Sequence, residues 1–198
     1  MELKKVAAII QARMGSMRFP GKVLKQINGF SIFEILINRL KNSNNLDQIV
    51  IATSNNDLDS EIIEWCKNNK IEFFSGNENN VLKRYYDCCS AFSIKNILRI
   101  TADCPLIDPE LVDEAIELFS DKNVDYLSNT LIPSYPDGCD LEIFSFDALE
   151  RTCQNASSLR DIEHVTPYMR NSDKFTHFNI KNEIDLSKYR LTVDVEED

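Results

Sequence analysis

Val6-Ala7-Ala8-Ile9-Ile10-Gln11-Ala12-Arg13-Met14-Gly15-Ser16-Met17-Arg18-Phe19-Pro20-Gly21-Lys22 decides how the rest of this 198-residue chain is read. An apolar run, residues 6–10, enters a segment with two glycines, one proline and three cations. A short apolar run closed by such residues is the pattern of a buried strand. The segment after it has the composition of a loop that grips phosphate. Gly15 and Gly21 allow close backbone approach, and Arg13, Arg18 and Lys22 can neutralise a polyphosphate. The spacing is neither GxxxxGK[ST] nor GxGxxG. The alternative is a solvated basic loop, with Met14 and Met17 as packing residues.

Charge distribution weighs against that alternative. The first 25 residues hold six Lys or Arg against one acid, a local +5 in a chain of −10, which leaves −15 for the remainder. So acidic a chain does not bind nucleic acid or an anionic membrane surface nonspecifically. It has no apolar run of about 18 residues to span a bilayer. Met1-Glu2-Leu3-Lys4-Lys5 leads directly into the first strand pattern, so no leader peptide is expected. Cys66, Cys88, Cys89, Cys104, Cys139 and Cys153 form no CxxC pair, which argues against zinc and for reduced thiols in a cytoplasmic protein.

Outward from the loop, strand and helix patterns alternate. Strands are expected at 6–10, 49–53, 72–75, 97–100 and 124–127. Between them, Ser31-Ile32-Phe33-Glu34 reads as a capping box opening an apolar stripe of Phe33, Leu36, Ile37 and Leu40. Helices are expected at 57–68 and 81–92, and from Asp108-Pro109 to about 119. The rhythm predicts an α/β domain over residues 1–198 whose mainly parallel sheet is covered on both faces, with ligands at the carboxyl ends of the strands. After residue 131, Pro133, Pro136, Asp137 and Gly138 mark a turn-rich stretch. Further strands are expected at 141–144, 176–180 and 190–193, and helices at 147–154 and 162–170. Residues 131–180 are read as an acceptor-side insertion and a possible dimer contact.

Two aspartates stand at strand ends. Asp103, in Arg99-Ile100-Thr101-Ala102-Asp103-Cys104-Pro105, is a natural Mg²⁺ ligand or a turn residue. Asp108 is the better helix cap, which leaves Asp103 free. Asp194, in Arg190-Leu191-Thr192-Val193-Asp194, either meets Asp103 over one metal or belongs to a solvated acidic tail. His164 packs or caps, or else touches an acceptor or partner subunit. His177, Trp65, Tyr85, Tyr86 and the Cys88-Cys89 pair read as packing residues.

QARMGSMRFPGKVL, RITADCPLIDPELVD, YPDGCDLEIFS, EHVTPY and RLTVDVEED together resemble the cytidylyltransferases of the spore-coat polysaccharide type, relatives of the enzymes that make CMP-ketodeoxyoctonate and CMP-sialic acid. The resemblance spans nearly the whole chain, with its motifs in order. It implies a three-layer α/β/α, Rossmann-like nucleotide-diphosphosugar transferase fold, and activation of a sugar or sugar acid with CTP and Mg²⁺. By position, Gln11, Ala12, Arg13, Gly15, Ser16, Arg18, Lys22, Thr101 and Asp103 would bind nucleotide, with Arg13, Arg18 and Lys22 catalytic. Asp103 and Asp194 would hold the metal, and Asp137, Asp140, Glu142 and His164 would face the acceptor. A homodimer is also implied, as is a further helix after Asp198. Thr101 and Ala102 depart from the Gln and Gly of relatives, so another NTP, or a non-catalytic nucleotide-binding member of the fold, are the alternatives. Glycosyl transfer is weaker, because Asp103-Cys104-Pro105 is not Asp-x-Asp.

Overall fold

A computed structural model describes residues 3–16 and 18–198; the reading of Met17 as a packing residue lies outside them. In chain order the elements are β1 (Ala7–Gln11), β2 (Gln26–Ile27), β3 (Phe30–Ser31), α1 (Ile32–Leu40), β4 (Gln48–Ser54), α2 (Ser60–Asn69), β5 (Glu72–Gly76), α3 (Val81–Phe92), β6 (Asn96–Thr101), α4 (Pro109–Lys122), β7 (Tyr126–Ser128), β8 (Glu142–Ser145), α5 (Phe146–Asn155), α6 (Leu159–His164), α7 (Pro167–Asn171) and β9 (His177–Asn179). Short 3₁₀ turns at Lys22–Leu24 and Asp57–Asp59 link them.

The seven-stranded sheet has the order β5-β4-β1-β6-β8-β7-β9. All neighbours pair in parallel except at β8, which is antiparallel to both β6 and β7. β1 is buried on both faces because successive side chains alternate. Ala8 and Ile10 join the core under α1, α2 and α4, whereas Ala7 and Ile9 join the core under α3 and α5. The chain leaves β1 for β4 on one side and later returns to β6 on the other. A crevice therefore opens beyond the carboxyl ends of β1 and β6, where such sheets take ligands.

Local signals fix the helix starts. Ser31 Oγ accepts from Glu34 N–H at 3.1 Å and the Glu34 carboxylate accepts from Ser31 N–H at 2.6 Å, a capping box. Asp108 accepts from Glu110 N–H at 3.0 Å, one residue before Pro109. Three expectations are corrected. The helix expected from Asp57 starts at Ser60, after a 3₁₀ turn capped by Asn56. The helix expected over 162–170 is two, broken where Val165 takes φ +69 and Pro167 cannot continue the hydrogen-bond ladder. Residues 190–193 form no strand: Leu191 N–H bonds the Asp137 carbonyl and Val193 N–H bonds the Asp103 carbonyl, so the segment is tied to two loop ends. The small β2–β3 hairpin was unanticipated.

Trp65 packs on Phe33 at 5.4 Å between ring centroids. Tyr85 is buried and donates to the Ile9 carbonyl, and Tyr86 donates to Glu150. His177 sits edge-on to Tyr126 with a ring nitrogen 2.7 Å from the Met169 carbonyl. The six cysteines are free, five of them buried, and burial pushes the Cys66 and Cys88 thiols up to about 12, which makes them inert. Among the described residues no helix is long and apolar enough to cross a membrane.

Candidate active site

The basic loop after β1 folds back on itself. The Met14 carbonyl accepts from both Ser16 N–H and Gly21 N–H at 2.9 Å. Gly21 turns the chain at φ +69, where a Cβ would lie 3.3 Å from Met14 Cε, so this left-handed turn suits glycine. It delivers Lys22 into the crevice. Gly15 has open space around it and faces an adjacent groove lined by Met14, Pro20, Leu24 and Leu58. From below, the loop is anchored by Asp59, 2% exposed. Its carboxylate accepts from Met14 N–H at 2.7 Å, and from Ser54 N–H and Oγ at 3.1 and 2.5 Å. The sequence alone places Asp59 inside a helix; with Asp57, Ser60 and Glu61 beside it, nothing in the sequence marks it for this role.

A cleft of about 350 Å³ lies between this loop and the end of β6. Gln11, Ala12, Arg13, Ser16, Arg18 and Lys22 line one side, and Thr101, Asp103 and Asp194 the other. Lys22 is the hub. Its Nζ donates to Asp103 Oδ2 and Asp194 Oδ1, each at 3.2 Å, and to the Val193 carbonyl at 2.8 Å. Arg18 also reaches Asp194 Oδ1, at 2.9 Å, and Arg190 reaches its Oδ2, at 2.9 Å. Burial pushes the Asp194 carboxyl up, but hydrogen bonds from Lys22 and Arg190 overcome this and hold it below the ordinary carboxylate range. The two aspartates, 91 positions apart, thus meet over one ammonium.

The segment bearing Asp194 is seated by Gly138. Gly138 takes φ +99, and a Cβ there would fall 2.7 Å from Leu191 C and 2.8 Å from Thr192 N. A left-handed conformation costs an L-residue about 1–2 kcal/mol, and the backbone contact adds to it. Gly138→Ala is expected to lower Tm by several degrees in thermal unfolding and to displace Asp194 from Lys22. A variant with wild-type Tm would show that residues 190–194 yield freely.

A second cavity, about 150 Å³, shares Thr101 with the first and adds Arg99, Thr130, Asp140, Glu142 and Arg170. Next to it a space of about 270 Å³ brings in Arg160 and His164. Glu142, expected to face an acceptor, is nearly buried with its carboxylate engaged internally. One oxygen meets Arg99; the other accepts from Tyr126 at 2.5 Å and Thr166 at 2.7 Å. Burial pushes its carboxyl up, yet the Arg99 charge and these hydrogen bonds win and lower it. Asp137 lines neither cavity and pairs with Arg190 at 3.8 Å. Asp140 opens into the second cavity. Surrounding protein, then the charges of Asp137 and Glu142, push it up to about 6. Arg99 and Arg170 were not anticipated.

A family model described as cytidylyltransferase matches residues 7–196. The spore coat polysaccharide biosynthesis protein SpsF of Bacillus subtilis is 35% identical over 199 residues, covering 96% of this chain and 81% of the relative. A 3-deoxy-manno-octulosonate cytidylyltransferase of Fusobacterium nucleatum is 34% identical over 118 residues, 59% of this chain and 47% of the relative. The structure of a cytidylyltransferase from Leptospira borgpetersenii superposes with TM-score 0.92 at 36% identity, covering 98% of this chain and 83% of that one.

Proposed function

This chain belongs to the cytidylyltransferase family, and from that premise we propose that it transfers the cytidylyl group of CTP to an oxygen of a sugar or sugar acid, giving a CMP- or CDP-sugar and pyrophosphate, for surface polysaccharide or glycan synthesis. The observation that carries this reading is the convergence of Arg18, Lys22, Asp103 and Asp194 at one strand-end cleft under a basic loop. The acceptor oxygen attacks the α-phosphorus in line. A new O–P bond forms, any proton on the acceptor oxygen passes to water, the bond from the α-phosphorus to the oxygen bridging it to the β-phosphorus breaks, and pyrophosphate leaves. Arg13, Arg18 and Lys22 stabilise the charge that gathers on it, so catalysis is mostly positioning and electrostatics. Gln11, Ala12, Ser16 and Thr101 complete the nucleotide side, whereas Gly15, expected there, lies at the adjacent groove.

Asp103 and Asp194 are the residues that would hold Mg²⁺. The donor set fits. Both carboxylates come within 3.2 Å of a single point, the Lys22 Nζ, and among the described residues no cluster of three or more His, Cys, Asp or Glu competes with them. Two carboxylates plus phosphate oxygens and water suit this ion. When bound, it supplies Lewis-acid stabilisation of phosphate oxygens.

The second cavity is the acceptor side in this reading. Its arginines, Arg99 and Arg170, with Asp140 and His164 nearby, support a polar acceptor bearing negative charge. A homodimer through residues 131–180 belongs to the same proposal, supported by the exposed Ile132 and Leu159; sedimentation would give twice 22.8 kDa. A role in a spore coat is a narrower version, supported by the Bacillus relative. The direct test is pyrophosphate release from CTP and Mg²⁺ across a panel of sugar acids. Acceptor-dependent release supports the proposal. Release from a different NTP with none from CTP would contradict it.

Asp140 gives a pH prediction. Its folded-state value of about 6 exceeds the unfolded value of about 3.9, so the folded protein holds the extra proton between the two. This carboxyl therefore costs stability progressively as pH rises from about 4 to about 6, and no further above that. The Tm advantage of Asp140→Asn over wild type is expected to grow across that window and then level off. The acceptor KM of wild type should change with a midpoint near 6, and that of the variant should not. Parallel curves would remove Asp140 from the acceptor side.

A further inference from the structure

The contacts of Lys22 define more than a phosphate ligand. An ammonium has three donors, and all three are used, on Asp103, Asp194 and the Val193 carbonyl. The side chain is 12% exposed. Its Nζ occupies the point where the two carboxylates converge, on the very oxygens a dication would take. A dication set between Asp103 Oδ2 and Asp194 Oδ1 would confront that ammonium at contact distance, with little water between them to screen the repulsion.

Resting on the reading of Asp103 and Asp194 as the dication pair, we propose that Lys22 is an exchangeable internal counter-ion. It closes this site to divalent cations in the nucleotide-free protein and releases it when a triphosphate draws the ammonium away. The lysine can make that exchange by side-chain rotation, because its four-carbon stem is flexible and its charge is a compact point. The other cations on Asp194 can stay or adjust: Arg18 is mostly exposed, and Arg190 is held on Oδ2 by Asp198 as well. A polyanion offers Lys22 a replacement partner and brings its own oxygen ligands for the metal. Nucleotide and dication therefore enter together, and the dication alone binds weakly. The Lys22 charge stays satisfied in both states, first by carboxylates and then by phosphate.

The test uses Mn²⁺ alone, with no nucleotide, and reads free Mn²⁺ by electron paramagnetic resonance. Its outcome is thus separate from whether CTP is the substrate, which pyrophosphate release decides. Wild type should bind Mn²⁺ weakly. Lys22→Gln and Lys22→Met should each bind at least about tenfold more tightly, because removing the ammonium takes the cation partner from Asp103 and clears the point where the two carboxylates converge. The gain should vanish when Asp103→Asn is added. Lys25→Ala, which removes an exposed cation of the same segment that does not line the cleft, should keep the weak wild-type binding. Tight Mn²⁺ binding by wild type, no gain in the folded Lys22 variants, or an equal gain in Lys25→Ala would each overturn the proposal. Far-UV circular dichroism checks that the variants are folded.

Discussion

Asp103→Asn is expected to lower kcat for pyrophosphate release at least about 100-fold, the loss typical when one charged transition-state contact is removed, about 2.7–4 kcal/mol. The fold should survive it. The structural contact at this position is made by the backbone, where the Asp103 carbonyl accepts from Val193 N–H at 2.9 Å, and asparagine keeps that carbonyl. The side chain is partly exposed and its partners are Lys22 Nζ at 3.2 Å and Cys104 Sγ at 3.7 Å. Losing such a contact near the surface shifts stability by about 0.5 kcal/mol, or roughly 1–2 °C in a chain of this size. A large loss of turnover with an almost unchanged Tm is the signature of a group that acts in the reaction. Near-normal turnover would remove Asp103 from the mechanism.

Glu142→Ala should do the reverse and strike stability first. Its carboxylate, 7% exposed, is the counter-charge for Arg99, 13% exposed, across the β6–β8 ladder where the two residues are register partners. Truncation leaves a buried guanidinium without its acceptor, and also strips acceptors from Tyr126 and Thr166. Breaking one side of a buried pair costs about 3–5 kcal/mol, which corresponds to a Tm fall of roughly 6–20 °C. Replacing both partners, Arg99→Met with Glu142→Met, should recover much of that loss, since apolar replacement of a buried pair is often neutral. A double-mutant cycle by thermal or denaturant unfolding measures the coupling. A single-variant loss under about 1 kcal/mol would show the pair to be solvated.

The contrast between these two acids illustrates which parts of the molecule could be read without coordinates. The convergence of charge at the cleft under the basic loop was legible because its residues are local in sequence. Three cations, two glycines and a proline sit within twelve residues of an apolar strand, and Asp103 follows the next central strand directly. The capping box at Ser31 and the Asp108-Pro109 start were legible for the same reason, since a cap needs only its own first turn. What failed depends on distant pairing. Residues 190–193 alternate like a strand, but their backbone partners are Asp137 and Asp103, in loops. β8 enters the sheet between β6 and β7 in the opposite direction, so a segment read as an insertion carries a central strand. The Arg99–Glu142 pair had a usable signal: each charge interrupts an apolar strand, at Leu98-Arg99-Ile100 and Leu141-Glu142-Ile143, and charges so placed need one another. The β2–β3 hairpin had a signal too, Asn28-Gly29, both at positive φ as a tight hairpin turn requires.

Thermal unfolding with Mg²⁺ and each of CTP, UTP, GTP, ATP and dTTP reports which nucleotide the cleft takes. Ligand at about 100 times its dissociation constant adds roughly 2.7 kcal/mol to stability, a Tm rise of about 5–10 °C for a chain of this length. That rise is expected with CTP and not with the other four, and it should be lost in Arg18→Ala. A rise with another nucleotide in place of CTP, or none with any of them, would contradict the proposed use of CTP.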